Sequence, residues 1–542
     1  MALRVRWLGR VRYRDAHALQ HALFARSADD HLLLLEHPHV YTMGVRAKAE
    51  HVLVDPAAVG AELVRTDRGG DVTYHGPGQL VGYPIVSVPV APDATPRYVH
   101  TIEQLVIDAL ADVGLPGAAR LDGYPGVWVG DRKIAAIGVR LSRGRSMHGF
   151  ALNVEPDLAM FGHIVPCGIA DKAVTSLAAE GVRVEMRDVV DAVAGRAART
   201  WGRDGVERHD AAWVVRDRDL SPFTRGAGPG AGVDERPVRL LGRLAAAGVD
   251  PSVAVGVRER KPEWLRVKAD MGPEYRRLRS TMRSNELVTV CEEAGCPNIF
   301  DCWNAGTATF MINGERCTRA CGFCLVDTRH PDPPDPDEPQ RVARAVASMG
   351  LRHAVVTAVA RDDLPDGGAA GFAATVAAVR ASTPGVTVEV LIPDCKGDPS
   401  ALSAIFQARP DVVNHNLETV LRLQRAVRPS ASYARSLAVL ARAKQAGLTT
   451  KSGIILGLGE RADEVVAAMA DMRAVGVDIL TLGQYLRPTA HHLPVARWWA
   501  PDEFDDLRVV GEAMGFAHVQ SSPLTRSSYH AGDAVMAASP RP

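Results

Sequence analysis

Six of the chain's eight cysteines fall within 34 residues, from Cys291 to Cys324, and no packing argument gathers thiols in this way. They form two triplets. Cys291, Cys296 and Cys302 lie in VCEEAGCPNIFDCW, and Cys317, Cys321 and Cys324 lie in RCTRACGFC. Thiolates are soft ligands, and three to a group suit an iron–sulfur cluster. A closed zinc site takes four ligands, usually as paired C-x2-C knuckles, and no such pairing fits here. A four-iron cluster held by three cysteines leaves one iron open to a ligand of another kind. Clustered, unpaired thiols also imply a reducing compartment, so the cytoplasm is expected.

A chain of 542 residues is too long for one core, and two to four domains are expected. With 63 basic and 63 acidic residues, its overall charge offers nothing to nucleic acid or an anionic membrane. No apolar run approaches the ~20 residues of a membrane span. The N-terminus lacks the apolar centre of a secretory signal and reads as a strand followed by a helix.

Past the cysteines the sequence settles into βα alternation. Strands are expected at 308–313, 353–359, 386–392, 411–416, 449–456 and 477–483. Helices are expected at 339–349, 369–382, 399–408, 431–446, 462–475 and 502–514. Six βα units argue for a parallel sheet. An open doubly wound sheet is one solution. A partial (β/α)6 barrel is preferred, because Cys317–Cys324 directly follows the first strand, at the rim where barrel enzymes keep their chemistry.

The first half reads as mixed α/β with hairpins. HLLLLEHPHVYTMG (31–44) looks like a buried strand and its following loop. Residues 95–114 have helical spacing, with Ile102, Leu105, Val106, Ala109 and Leu110 on one face. Residues 126–141 form a hairpin about Gly130-Asp131, and 186–202 close the half as a helix. RGGDVTYHGPGQLVGYPI (68–85) reads either as a glycine-rich turn between strands or as a loop whose backbone approaches a ligand. Lys133, at the hairpin turn, is by default a surface lysine. Cys167, in HIVPCGI, is either a small buried hydrophobe or a loop nucleophile. A lysine beside that thiol would favour the thiolate, which could carry an acyl group as a thioester. Residues 223–237 are rich in Gly, Ala and Pro and read as a flexible linker between a domain at 1–222 and another at 238–542, with its barrel at about 303–523. A short helix is expected within 238–251, and nine basic residues against four acidic ones between Arg258 and Arg283 make a solvated face or an acidic partner's docking surface.

RGGDVTYHGPGQ, RKIAAIG (132–138), MHGFALNV (147–154) and PCGI (166–169) closely resemble octanoyltransferases of lipoic acid synthesis, also called lipoyl(octanoyl) transferases. The resemblance covers nearly all of 1–222 and implies the fold of biotin and lipoate protein ligases. It assigns the acyl-carrying role to Cys167 and pKa lowering with proton relay to Lys133. The backbone of Arg68, Gly69, Gly70, Asp71, Val72, Thr73, Tyr74 and His75, of Ala136, Ile137 and Gly138, and of Gly149, Phe150 and Ala151 would line the acyl site. Asp71 departs from the commoner amide or basic residue.

The C-x3-C-x2-C triplet after a first barrel strand resembles the radical S-adenosylmethionine superfamily. In that superfamily three thiolates hold a 4Fe–4S cluster, and S-adenosylmethionine binds the open iron. The other triplet, with RKPEWLRVKADMGPEY (260–275), RDDLPDGGA (361–369), NHNLETV (414–420), KSGIILGLGE (451–460), LTLGQYLRPT (480–489) and RSSYHA (526–531), is similar to lipoyl synthases. That resemblance implies an auxiliary 4Fe–4S cluster on Cys291, Cys296, Cys302 and Ser528, with Ser527 the lesser choice, consumed as the sulfur source. Ala360 stands where an aspartate is usual, Leu325 follows the last cysteine where aspartate or alanine is common, and Cys395 fits neither triplet and reads as structural.

Together the resemblances imply a bifunctional enzyme of lipoate biosynthesis. It would take octanoyl from acyl carrier protein onto Cys167 and pass it to a lysine of a lipoyl domain of 2-oxoacid dehydrogenases or of glycine-cleavage H protein. It would then insert sulfur at carbons 6 and 8 with two clusters, S-adenosylmethionine and an electron donor. No nucleic acid and no membrane are expected among its partners.

Overall fold

The computed structural model describes residues 2–168, 172–213, 242–250, 307–529 and 531–538, with short pieces between 254 and 299. The chain divides into two compact units, Met1–Trp213 and Val214–Pro542. The expected linker at 223–237 and the triplet Cys291, Cys296 and Cys302 lie outside the described residues.

In the first unit a nine-stranded sheet runs in the order Val206–Asp210, Leu3–Arg10, Asp30–Glu36, Gln79–Ile85, Arg145–Asn153, Arg132–Ser142, Tyr124–Val129 and Ala119–Leu121, with Ala173–Val174 paired to Arg132–Ser142. The helix Ala94–Asp112 buries the expected face, Ile102, Leu105, Val106, Ala109 and Leu110. It shares one core with the helix Met186–Trp201 and strand residues Leu32, Leu34, Leu80 and Leu152. The helix Tyr13–Arg26 packs against Gln79–Ile85 and Arg145–Asn153. The hairpin turns at Gly130-Asp131, where Gly130 takes φ 60°. Residues 31–44 differ from expectation. After His37-Pro38 the chain forms a second strand, Val40–Met43, between Glu62–Arg65 and Val72–His75 in a separate three-stranded sheet. All four of its residues are buried, so there was no polar alternation to mark it.

In the second unit seven parallel strands stand in sequence order: Thr307–Ile312, His353–Ala358, Thr387–Leu391, Val412–Asn414, Thr449–Leu456, Ile479–Gln484 and His518–Ser521. The six expected helices appear as Glu338–Met349, Ala369–Ser382, Pro399–Gln407, Tyr433–Gln445, Ala462–Ala474 and Pro501–Ala513. Sequential order has no switch point. With right-handed crossovers all helices then fall on one face, and the sheet curls around the other. Val388 and Val390 lie in the core with Phe372 and Val379 of the preceding helix, so Glu389 between them faces the concave side. Among the described residues the edge strands Thr307–Ile312 and His518–Ser521 do not pair, which makes the barrel partial. The terminal helix Ala531–Ala538 touches both His353–Ala358 and His518–Ser521 and so spans the open side. Residues 242–246 are helical, as expected for part of 238–251, and Arg422 Nη1 donates to the Ala247 carbonyl beyond them.

Candidate active sites

Three sequence-distant stretches of the first unit wall a cavity of about 120 Å³. Arg68, Gly69, Gly70, Asp71, Thr73 and His75 form one wall. Lys133, Ala136, Ile137 and Gly138 form the second, and Gly149, Phe150 and Ala151 the third. The last two walls are cross-strand partners, with Ala136 opposite Ala151, Ile137 opposite Phe150 and Gly138 opposite Gly149. Gly149 is a close approach: a Cβ there would stand 2.2 Å from the Gly82 carbonyl oxygen. Val72 and Tyr74 do not reach the cavity. Strand alternation sends them into a small core with Tyr41, Met43 and Phe161. Tyr13, Arg46 and Pro125 also line it, and no motif in the sequence pointed to them; Tyr83 and His148 line it from within stretches singled out for other residues.

The polar groups here shape the wall. Arg68 is buried, and its guanidinium donates to the carbonyls of Thr42 (2.6 Å), Asp71 (2.7 Å) and Gly69 (3.0 Å), which fixes the glycine loop. His75 donates through Nδ1 to Gln79 Oε1 at 2.8 Å, and Gln79 Nε2 donates to Asn153 Oδ1 at 2.9 Å. Burial holds the His75 imidazole well below its usual pKa, so it is neutral. Lys133 is 8 % exposed, and its Nζ lies 4.7 Å from the Trp128 ring centroid. Among the described residues no carboxylate pairs with it. The backbone of Cys167 lies in the one-turn helix Pro166–Gly168, which packs on Val72–His75. A Cβ on Gly168 would meet Asp71 Oδ2 at 2.9 Å, so this turn sits at the cavity rim. Asp71, the departure from the family pattern, accepts from His51 Nδ1 at 2.7 Å, and His51 O in turn accepts from Val165 N at 2.9 Å.

In the second unit the loop Cys317–Cys324 follows the strand Thr307–Ile312 at its C-terminal end. Backbone N–H groups of Arg319 (3.4 Å) and Ala360 (3.3 Å) donate to Cys317 Sγ. The Ala360 carbonyl accepts from Thr318 N (2.9 Å) and Thr318 Oγ1 (2.8 Å). Position 360 is therefore used through its backbone, and the missing aspartate removes none of these bonds. Arg319 is buried between Asp362 (2.6 and 2.8 Å) and Asp394 (2.6 Å). His492 Nε2 donates to the Cys324 carbonyl at 2.9 Å. Burial pushes the Cys317 thiol up to about 11, and burial with its neighbouring thiols pushes Cys324 higher still. Three adjacent thiols, each held protonated by desolvation, become thiolates together only around a cation, which is the donor chemistry a metal cluster needs. Arg428, which no motif singled out, lies where its charge favours the Cys321 thiolate.

The RSSYHA loop returns to this region. Ser527 Oγ accepts from Asn416 Nδ2 at 2.6 Å, and Asn298, which lies between Cys296 and Cys302, donates to the Leu524 carbonyl at 2.6 Å. Among the described residues no hydrogen bond engages Ser528 Oγ. Cys395 is 3 % exposed and belongs to the core. Among the described residues no helix is long and apolar enough to cross a membrane.

A mixed α/β unit with a glycine-walled cavity and a partial parallel barrel with a three-cysteine loop match two family descriptions. The lipoyl protein ligase A/B catalytic domain matches residues 12–197, and the radical SAM superfamily matches residues 311–472. The N-terminal domain of lipoyl synthase matches residues 250–296. A lipoyl synthase of Rubrobacter xylanophilus is 58 % identical over 276 residues, covering 51 % of this chain and 86 % of that one. One of Mycobacterium avium is 54 % identical over 294 residues, covering 54 % and 94 %. A bi-partite lipoate protein ligase of Thermoplasma acidophilum of known structure covers 41 % of this chain and 90 % of its own, at 21 % identity and a TM-score of 0.34, and carries no argument here. The chain belongs to the lipoyl synthase family and carries a lipoyl protein ligase-type catalytic domain ahead of it.

Proposed function

We propose that this chain builds lipoyl-lysine on protein substrates in two consecutive reactions, one in each unit. In the first, the Cys167 thiolate attacks the thioester of octanoyl-acyl carrier protein. The carrier thiol leaves with a proton, and octanoyl stays on Cys167 as a thioester. A lysine of a lipoyl domain, or of glycine-cleavage H protein, then attacks that carbonyl, an amide forms, and the Cys167 thiolate departs. Lys133 stabilises the thiolate with its charge and relays the protons. The observation that carries this half is the single cavity lined by Lys133 and by the three expected stretches, with the Pro166–Gly168 turn at its rim.

In the second reaction Cys317, Cys321 and Cys324 hold one 4Fe–4S cluster, and Cys291, Cys296, Cys302 and Ser528 hold another. With S-adenosylmethionine and an electron donor, these groups supply hydrogen abstraction and sulfur at carbons 6 and 8 of the octanoyl chain. The residues of the chain bind, orient and shield. Arg319 and the Ala360 backbone fix the first loop. Asn416 engages Ser527, which supports Ser528 as the fourth ligand of the auxiliary cluster.

Cys167→Ser tests the first half. Incubated with octanoyl-carrier protein and lipoyl domain, it loses the covalent octanoyl-enzyme adduct by mass spectrometry and transfers at background rate. Undiminished transfer rules out the thioester route.

A further inference from the structure

The rim of the acyl cavity holds a polar pair that the transfer described above does not use. Val52 and Ile164 form an antiparallel bridge, Leu53 N donates to the His163 carbonyl at 2.9 Å, and Val165 N donates to the His51 carbonyl at 2.9 Å. Residues 51–53 are therefore stitched to 163–165, just ahead of Cys167. Gly168, the residue after it, takes φ 70°. A Cβ there would meet Asp71 Oδ2 at 2.9 Å and His51 Cε1 at 3.5 Å. His51 and Asp71 thus face the turn that carries Cys167.

The pair has a direction. Asp71 Oδ1 accepts from the Val72 N–H at 2.7 Å, which fixes the carboxylate, and Oδ2 lies 2.7 Å from His51 Nδ1. A carboxylate only accepts, so the proton of a neutral imidazole sits on Nδ1 and the lone pair on Nε2. Among the described residues no hydrogen bond engages that Nε2. A carboxylate behind Nδ1 and an open Nε2 is the arrangement in which an imidazole serves as a base. Asp71 is also where this chain departs from the commoner amide or basic residue, so the carboxylate that orients His51 is its own.

The proton balance of transfer calls for such a base. A substrate lysine arrives as an ammonium. It sheds one proton to become a nucleophile and a second when the tetrahedral adduct collapses to the amide and expels the Cys167 thiolate. Lys133, having given a proton to the departing carrier thiol, has room for one. Overall, a thioester and an ammonium give an amide, a thiol and one free proton. We propose that His51, oriented by Asp71, is the base that takes this remaining proton from the substrate lysine and passes it to water. The His51 side chain is 18 % exposed, which gives the proton a path to solvent. The assignment rests on the thioester reading of the first unit.

The test separates two nucleophiles. The full chain, charged with octanoyl-acyl carrier protein, is mixed with saturating lipoyl domain or with hydroxylamine, and the octanoyl-Cys167 adduct is followed by quenched-flow mass spectrometry. Hydroxylamine is uncharged at neutral pH and sheds only the proton that Lys133 can take. His51→Gln should slow transfer to the lipoyl domain by roughly tenfold or more and transfer to hydroxylamine by less than about threefold. Asp71→Asn keeps the size of the side chain and should show the same split more weakly; it carries the test if His51→Gln does not fold. Equal slowing for both nucleophiles would mark a structural role and overturn the proposal, as would transfer to saturating lipoyl domain at the parental rate. A parent chain that never forms the adduct would overturn the thioester reading and this assignment with it.

Discussion

Lys133 holds its ammonium against the Trp128 ring rather than against a carboxylate. A cation–π contact leaves the charge available to a neighbouring thiolate, where an ion pair would spend it. Lys133→Met should therefore slow octanoyl transfer by roughly 10²–10⁴-fold, the usual range for a lost acid–base group, with an unchanged far-UV circular dichroism spectrum. Gly322 makes a second residue-scale case. A Cβ there would meet Leu493 Cγ and Cδ1 at 2.6 Å, and the Gly322 N–H donates to the Val427 carbonyl at 2.8 Å. Gly322→Ala should displace the cysteine loop and take iron from about eight per chain toward about four. Leu493→Ala added to it should restore the iron. Iron analysis of anaerobic preparations reads both. At this scale the motif residues were legible because their chemistry is local in sequence. Arg428 and Tyr13 were not, because they reach their sites only through tertiary packing.

At the scale of elements, a buried polar clamp ties the strands of the curled sheet. Lys451 Nζ lies 3.0 and 3.1 Å from the Glu389 carboxylate, both residues are fully buried, and Asn414 Nδ2 donates to the same carboxylate at 2.9 Å from the strand between them. Burial raises the Glu389 pKa, but Lys451 and His353 outweigh it and hold the carboxyl at about 2, below its ordinary 4.5. A depressed folded-state pKa contributes stability that is full above the unfolded value and is lost as pH falls through the folded one. The barrel unit should thus lose stability between about pH 4.5 and pH 2. Lys451→Ala strands a buried carboxylate and should cost about 3–5 kcal/mol at pH 7, whereas Glu389→Gln/Lys451→Met should cost far less and remove that acid sensitivity. Urea denaturation across pH measures both. The strands and helices of this unit were legible because valine-rich runs alternate with helical spacing. His518–Ser521 was not, since HVQS has a single aliphatic residue, and Val40–Met43 was not, since a short fully buried strand shows no period.

At the scale of the whole molecule, two folds that occur separately are joined in one chain, and the product of the first proposed reaction is the substrate of the second. The partial barrel was legible from the position of the cysteine loop after the first strand. The terminal helix across its open side was not, because nothing local in Ala531–Ala538 says which strands it will touch. The first cysteine triplet rests on its spacing, on family resemblance, and on Asn298, which docks on the Leu524 backbone beside the RSSYHA loop. The most direct test of the two-reaction account is time-resolved mass spectrometry of a lipoyl domain. The domain is incubated anaerobically with the whole chain, octanoyl-acyl carrier protein, a reductant and S-adenosylmethionine. The account predicts an octanoyl adduct first, then its conversion to a species carrying two sulfurs in place of two hydrogens. A domain that never gains octanoyl, or one that stays at the octanoyl adduct while both clusters are loaded, would contradict it.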